Sequence, residues 1–315
     1  MNTTRDLTLP LLATVPALLM ASLLFAQFDG YVLYGHLNQN TARLIDKDGI
    51  IAKQWNMSGG NGYAMALKDN GNLVRAAIHS GNILNGAAVA GKVQEIDPGN
   101  NVVWEFVYST ATYVTHHDIC LMPNGHVLLI AWHNPGNAAL QALGYSGTQN
   151  KYPTRIIEVE QNGTGGQIVW EWNMMDHFIQ DVDQNKPNYG IISEHPERMN
   201  INVATNSMGG GPGGSGDWFH VNGIDYNPTL DQIAFSSRYV SEIFIIDHST
   251  TTAEAATSTG GNSGMGGDFL YRWGHPANYN TAGTQVIPAA VHDVRWVKDG
   301  SPNAGYLQFI NNSAL

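Results

Sequence analysis

From about Tyr31 onward the apolar positions come in short runs rich in Val, Ile, Trp, Tyr and Phe, bounded by Gly, Asn, Asp and Pro. No amphipathic stripe of helical length interrupts them, so the pattern predicts strands and reversals. ARLIDKDGIIAKQW reads as strand, Asp–Gly turn, strand, and the same unit returns as VQEIDPGNNVVWEF and RIIEVEQNGTGGQIVWEW. A looser copy, SEIFIIDHS, reaches FLYRW only after a loop rich in Gly, Ser and Thr. Between these lie segments that open on a short polar run and continue as strand, turn, strand: YAMALKDNGNLVRA, HHDICLMPNGHVLLIAW, FHVNGIDYNPTLDQIAFSSR and HDVRWVKDGSPNAGYLQFI. Asp69-Asn70-Gly71, Pro123-Asn124-Gly125 and Lys298-Asp299-Gly300 supply the reversals, because Gly and Asn tolerate the positive φ of a tight turn.

Taken pairwise, the hairpins give four strands per repeat at variable spacing, the pattern of propeller blades joined by unequal loops. The expected fold is therefore an all-β β-propeller occupying residues 27–315, with about four blades visible and the C-terminal blades missing. Insertions at roughly 79 to 91, 133 to 152, 173 to 216 and 250 to 268 fall between strand groups, where they leave the sheets intact. The stretch from Leu7 to Phe28 carries no charge and follows a short head containing Arg5 and Asp6. Residues 1–26 thus read as a signal peptide or an N-terminal membrane anchor, and either sends the bulk of the chain to the periplasm or the extracellular space.

Composition narrows the function. The 315 residues suffice for a substantial core. Fifteen Lys plus Arg against 26 Asp plus Glu, a formal charge of -11, argue against gripping nucleic acid through its phosphates. The single cysteine, Cys120, excludes an intrachain disulfide framework and a Cys cluster for zinc or iron–sulfur. The Gly-rich run at 207–216 lacks the Lys-Ser/Thr of a phosphate-binding loop and reads as a lid or linker.

Three histidines recur at one place in the repeat, immediately before an inner apolar strand: His117 in THHDICLMPNG, His220 in DWFHVNGIDYNP and His292 in AVHDVRWVKDG. Equivalent strands lining a common channel would bring these imidazoles together, and Arg238, one hairpin after His220, would point to the same opening. Arg pairs bidentately with an oxyanion, while a neutral imidazole acts as nucleophile or base near pH 7, so the set suits transfer of an anionic group. A three-His zinc centre is the competing interpretation. Successive residues of a strand face opposite ways, so only one of His116 and His117 is expected to serve, and His117 matches the His-Asp context of His292. The other histidines fall in turns or insertions and are expected at the surface. Trp55, Trp104, Trp170, Trp172 and Trp273 end strands and read as packing between sheets, whereas Trp218, Phe219 and Tyr239 flank His220 and Arg238 and, with Asn222, are expected to hold an aromatic substrate.

The Trp-Glu-Phe/Trp strand ends, HHDICLMPNG, DWFHVNGIDYNP followed by FSSR, and the later HDV resemble the bacterial arylsulfate sulfotransferase family, secreted six-bladed β-propellers, from about Ala42 onward. The separation of 18 residues between His220 and Arg238 is the most specific element. The resemblance implies transfer of a sulfuryl group from an aryl sulfate to a phenolic acceptor by a ping-pong route without a nucleotide donor. It implies His292 as the transiently sulfated nucleophile, His220 and Arg238 as holders of the sulfuryl oxygens, and His117 as the remaining contact to the sulfuryl group or leaving phenol. No cofactor and no metal enter this expectation; the partners are the donor and acceptor, with room for a homodimer and with membrane contact only through an uncleaved N-terminal segment. A secreted propeller that binds a glycan or protein without catalysis is the alternative from another class, and a quinone-dependent dehydrogenase is the second enzymatic one.

Overall fold

The computed structural model describes residues 30–84, 86–205, 216–283 and 289–312. The predicted leader at 1–26 and nearly all of the Gly-rich run lie outside them. The first sheet is built from β1 (Tyr31–Gly35), β2 (Thr41–Asp46) and β3 (Ile51–Asn56), and the second from β4 (Asn61–Leu67), β5 (Leu73–Ile78), β6 (Gly91–Ile96) and β7 (Val102–Val107). The third comprises β8 (Tyr113–Leu121), β9 (Val127–His133), β10 (Thr154–Asn162) and β11 (Gly165–Asn173). After a short parallel pair, β12 (Phe178–Ile179) with β13 (Met199–Asn200), come the sheet of β14 (Val221–Asn227), β15 (Gln232–Ser237), β16 (Glu242–Asp247) and β17 (Tyr271–Trp273), and the hairpin of β18 (Val291–Trp296) and β19 (Leu307–Asn311).

The eight hairpin units expected from the sequence all occur, and the turn glycines Gly71, Gly125 and Gly300 adopt φ of 83°, 89° and 82°. The all-β class therefore holds, but the β-propeller does not. The six sheets are separate and none is closed into a barrel or propeller shape; only three carry four strands, and no strand pairs the first sheet with the last among the described residues. Turn chemistry and alternation specify antiparallel neighbours along the chain, and closure is a tertiary property that they do not encode.

Cores form where successive sheets meet face to face. On β9, Leu128 and Ile130 enter the core shared with the β14–β17 sheet, while Leu129 and Ala131 enter the core shared with the second. On β16, Phe244 and Ile246 face the first of these cores, and Ile243 and Ile245 face the β18 hairpin. Two-sided burial explains why these strands read as continuous apolar runs, and each of the buried Leu, Ile and Phe side chains contributes roughly 1.5–3 kcal/mol. The strand-end tryptophans do the packing. Trp104 Nε1 donates to the Gly165 carbonyl at 2.7 Å and Trp172 Nε1 to that of Gly267 at 2.7 Å, so their buried N–H groups are satisfied across elements.

Two histidines expected at the surface are structural. His177 is fully buried, with Nδ1 2.6 Å from Asp268 Oδ1 and Nε2 2.8 Å from the Ala255 carbonyl. His248 lies between Glu158 (2.9 Å) and Asp231 (2.7 Å), joining β10 to the turn between β14 and β15. Burial opposes its charge, but the two carboxylates outweigh burial and hold its pKa above 6.5. Burial likewise opposes the Glu158 charge, and His248, His126 and Asn124 outweigh it and pull that carboxyl down to about 2. A raised histidine pKa stabilises the fold fully below the unfolded value and loses that contribution as pH rises through the folded one. The depressed glutamate contributes above its unfolded value and loses the contribution as pH falls toward its folded one. Urea unfolding at about pH 5.5 and about pH 8.5 is expected to show the wild type losing stability at the higher pH relative to His248→Gln. Parallel losses in the two proteins would remove His248 from the account.

Candidate active site

The strands β8 and β18, which carry His117 and His292, and β14, which His220 directly precedes, lie side by side, with β4 and β1 continuing the row. Each of the three is bulged at or next to its histidine: register shifts fall between Thr115 and Ile119, around His117, between Val221 and Gly223, just after His220, and between His292 and Arg295. His117 and His220 themselves adopt φ of 53° and 50°, and His292 is flanked by Ala290 and Asp293 at 50° and 55°. Non-glycine residues in this left-handed region are uncommon and concentrate where a site must aim its side chains.

The bulges bring the rings together. His117 Nε2 lies 3.1 Å from His220 Nε2, with ring centroids 4.4 Å apart, and the His292 ring is 6.4 Å from that of His220. Arg238 is brought alongside by the β14–β15 ladder, in which Val221 pairs with Ser237 and the Arg238 amide donates to the His220 carbonyl at 3.1 Å. The separation of 18 residues is thus a hairpin register. The Arg238 guanidinium rests on the Tyr239 ring at 5.7 Å, is half-buried, and forms no ion pair with a carboxylate among the described residues.

Proton positions follow from the hydrogen bonds. His292 Nδ1 is 2.6 Å from the Ala290 carbonyl, an acceptor, so Nδ1 carries the proton and Nε2 keeps its lone pair. Burial holds the His292 imidazole below its ordinary value, and the charges of His220 and Arg238 act in the same direction, so the ring is neutral at pH 7. The Asp217 carboxylate accepts from His220 Nδ1 at 2.6 Å; His220 Nε2 then accepts from His117 Nε2, and His117 Nδ1 from His116 Nδ1 at 2.7 Å. Burial, reinforced by neighbouring histidines, depresses both His116 and His117 well below 6.5.

Asp217 and His116 are not among the residues that the sequence singles out. Asp217 stands three positions before His220 in Asp-Trp-Phe-His, a spacing that could have marked it as the orienting carboxylate. Strand alternation, which turns neighbours to opposite faces, argues against His116. The bulge cancels that alternation, so His116 bonds to His117 while stacking on Trp132 at 4.2 Å.

A cavity of about 1490 Å³ opens beside His117, walled by Tyr34, Tyr63, Asn222, Asp293, Arg295 and Trp296 among others. Tyr63 meets the His117 ring edge-on at 5.8 Å, and Tyr239 lies 4.7 Å from the His220 ring. Asn222 donates to the Val291 carbonyl at 2.9 Å and accepts from Ser236 Oγ at 2.8 Å, so it fixes β18 against β14. Trp218 and Phe219 turn the other way, 3% and 1% exposed in the main apolar core against Phe178. The aromatic rings against His117 and His220 are those of Tyr63 and Tyr239.

Gly223 allows the close approach of β18: a Cβ there would meet the Asp293 Cα at 2.7 Å and the Val294 nitrogen at 2.8 Å. Gly223→Ala is expected to lower stability by about 1–3 kcal/mol in thermal or urea unfolding, because backbone must yield. Unchanged stability would mean that β18 can shift freely.

Among the described residues, no group of three or more His, Cys, Asp or Glu side chains could hold a metal ion, and no helix is long and apolar enough to cross a membrane. The sequence model described as Arylsulfotransferase (ASST) matches residues 33–314. No curated protein matches the chain. Among solved structures, a protein of unknown function from Bacteroides caccae is similar at 11% identity and TM-score 0.44, over 87% of this chain and 64% of that one. Hydrazine synthase of Kuenenia stuttgartiensis is similar at 15% identity and TM-score 0.46, over 90% of this chain and 68% of that one. At these scores neither likeness bears on what the chain does.

Proposed function

The chain belongs to the arylsulfotransferase family, and from that premise we propose that it transfers a sulfuryl group from an aryl sulfate to a phenolic acceptor, without a nucleotide donor, through a sulfated histidine. The observation that carries the reading is the convergence of a neutral His292, the hydrogen-bonded His117–His220 pair and an Arg238 with no carboxylate partner among the described residues. In the first half-reaction His292 Nε2 attacks sulfur, and the bond from sulfur to the aryl oxygen breaks with its electron pair leaving on the phenolate. In the second, the acceptor oxygen attacks sulfur, the N–S bond breaks, and the electron pair returns to Nε2. The acceptor's phenolic proton passes to the His117–His220 pair, and the departing phenolate takes up one proton per cycle, so charge balances.

Arg238, a donor already in place, holds the sulfuryl oxygens, since preorganised electrostatics supplies most of the rate enhancement in many enzymes, and His220 joins it as a donor when a proton reaches its Nε2. His117 contacts the sulfuryl group or the leaving phenol. Tyr239 and Asn222 border the substrate; Trp218 and Phe219 back them from the core, Phe219 through its carbonyl to the Tyr239 amide at 3.2 Å. The uncharged stretch from Leu7 to Phe28 supports action outside the cytoplasm.

The test is to incubate the protein with p-nitrophenyl sulfate, with and without a phenol. The expected products are p-nitrophenol and the acceptor's sulfate ester, with release accelerated by acceptor. Free sulfate as the only sulfur product would indicate a hydrolase, and binding of the ester with no turnover would indicate a binding protein.

A further inference from the structure

We propose that Arg295 is a positioning residue that holds the three histidine-bearing strands at the spacing the reaction needs; the inference rests on the reading above. Its guanidinium touches all three strands. Nη2 lies 2.7 Å from Asp118 Oδ2 on β8 and 2.7 Å from Asp293 Oδ1 on β18, and Nη1 donates to the Ile224 carbonyl on β14. Asp118 directly follows His117, and Asp293 directly follows His292. The two carboxylates are therefore one residue from the imidazoles whose separation they set.

Neighbouring bonds tighten the same junction. Asp118 Oδ2 accepts from the Ile224 amide at 2.9 Å, linking β8 to β14, and Asp225 Oδ2 accepts from the Trp296 amide at 2.7 Å, linking β14 to β18. Strand pairing cannot supply this restraint, because the three strands belong to three different sheets and each is bulged at or next to its histidine. A planar guanidinium can bridge two carboxylates and a carbonyl at once. A lysine ammonium at the end of a flexible stem cannot reproduce that fork.

Arg295→Lys keeps the charge and is expected to lower kcat about ten- to a hundredfold, as an ångström-scale misplacement does, with the donor's KM within about threefold. Arg295→Ala is expected to fall further and to recover in part with added methylguanidinium. Thermal unfolding of each variant, and the imidazole resonances of protein labelled with nitrogen-15 at histidine, are read alongside. The expected result is a retained unfolding transition with altered His117 and His220 resonances.

Where the wild type transfers sulfuryl groups, kcat decides: a wild-type value in Arg295→Lys overturns the proposal. Loss of the folded transition in both variants assigns Arg295 to stability alone and also overturns it. Where the wild type transfers nothing, the functional reading has failed separately, and the resonances alone decide on Arg295. Unchanged resonances in a folded Arg295→Lys protein then reject it, and altered ones uphold it.

Discussion

His292→Ala is expected to reduce sulfuryl transfer by at least about 10³-fold while leaving the protein folded, because it removes the only atom to which the group is covalently passed. The nucleophile is prepared by two local features. The Ala290 carbonyl accepts the hydrogen bond from Nδ1–H at 2.6 Å, and half-burial keeps the ring neutral, so Nε2 presents a lone pair without help from a separate base. Both depend on the bulge at the start of β18, where Ala290 and Asp293 adopt left-handed φ on either side of the histidine. The same feature sets a pH dependence. A depressed imidazole pKa means that the neutral, reactive form persists below 6.5, so kcat/KM falls only as pH drops through a value lower than that. The decisive measurement is the mass of the protein quenched during turnover with donor alone: the wild type gains one SO₃ group and His292→Ala gains none. Equal sulfation of the two proteins, or undiminished product from the variant, would reject His292 as the carrier.

What the sequence discloses, and what it does not, divides along physical lines. The hairpins are legible because Asp-Asn-Gly and Pro-Asn-Gly specify reversals locally and because Val, Ile and Trp alternate or run together according to how many faces are buried. Ring closure is suggested by the number of those hairpins, yet nothing in a turn or an alternation dictates whether a run of stacked sheets closes, and here the sheets remain separate. The convergence of His117, His220 and His292 can be anticipated because each precedes an apolar strand at the same register. The approach of Arg238 follows from simple hairpin pairing. The left-handed φ at His117 and His220 is invisible, since neither is a glycine or an asparagine. That single feature hides the bond between His116 and His117. Proximity in sequence to His220 also places Trp218 and Phe219 on the substrate side, when both pack into the core. Arg295, inside His-Asp-Val-Arg-Trp, looks like one more strand residue, because its partners come largely from two other strands.

Asp217→Asn is expected to lower kcat by about 10²–10⁴-fold with little change in donor KM, for a reason of proton placement. The carboxylate, 4% exposed, accepts the His220 Nδ1 proton at 2.6 Å and thereby fixes which nitrogen of His220 faces His117. Every later bond in the chain depends on that choice: His220 Nε2 accepts from His117, and His117 Nδ1 accepts from His116. An amide is isosteric and can still accept one hydrogen bond, but it carries no charge to balance a proton arriving on His220 from the acceptor phenol. It can also turn its NH₂ toward Nδ1, which would reverse the donor and acceptor order through all three rings. Because His292 has its own anchor at Ala290, formation of the sulfated intermediate should suffer less than its discharge to the acceptor, and the variant should accumulate sulfated protein during turnover. Rapid-quench mass measurement separates the two half-reactions. A variant that discharges its sulfuryl group to phenol at the wild-type rate would show that the Asp217–His220–His117 chain carries no proton in the reaction and serves packing alone.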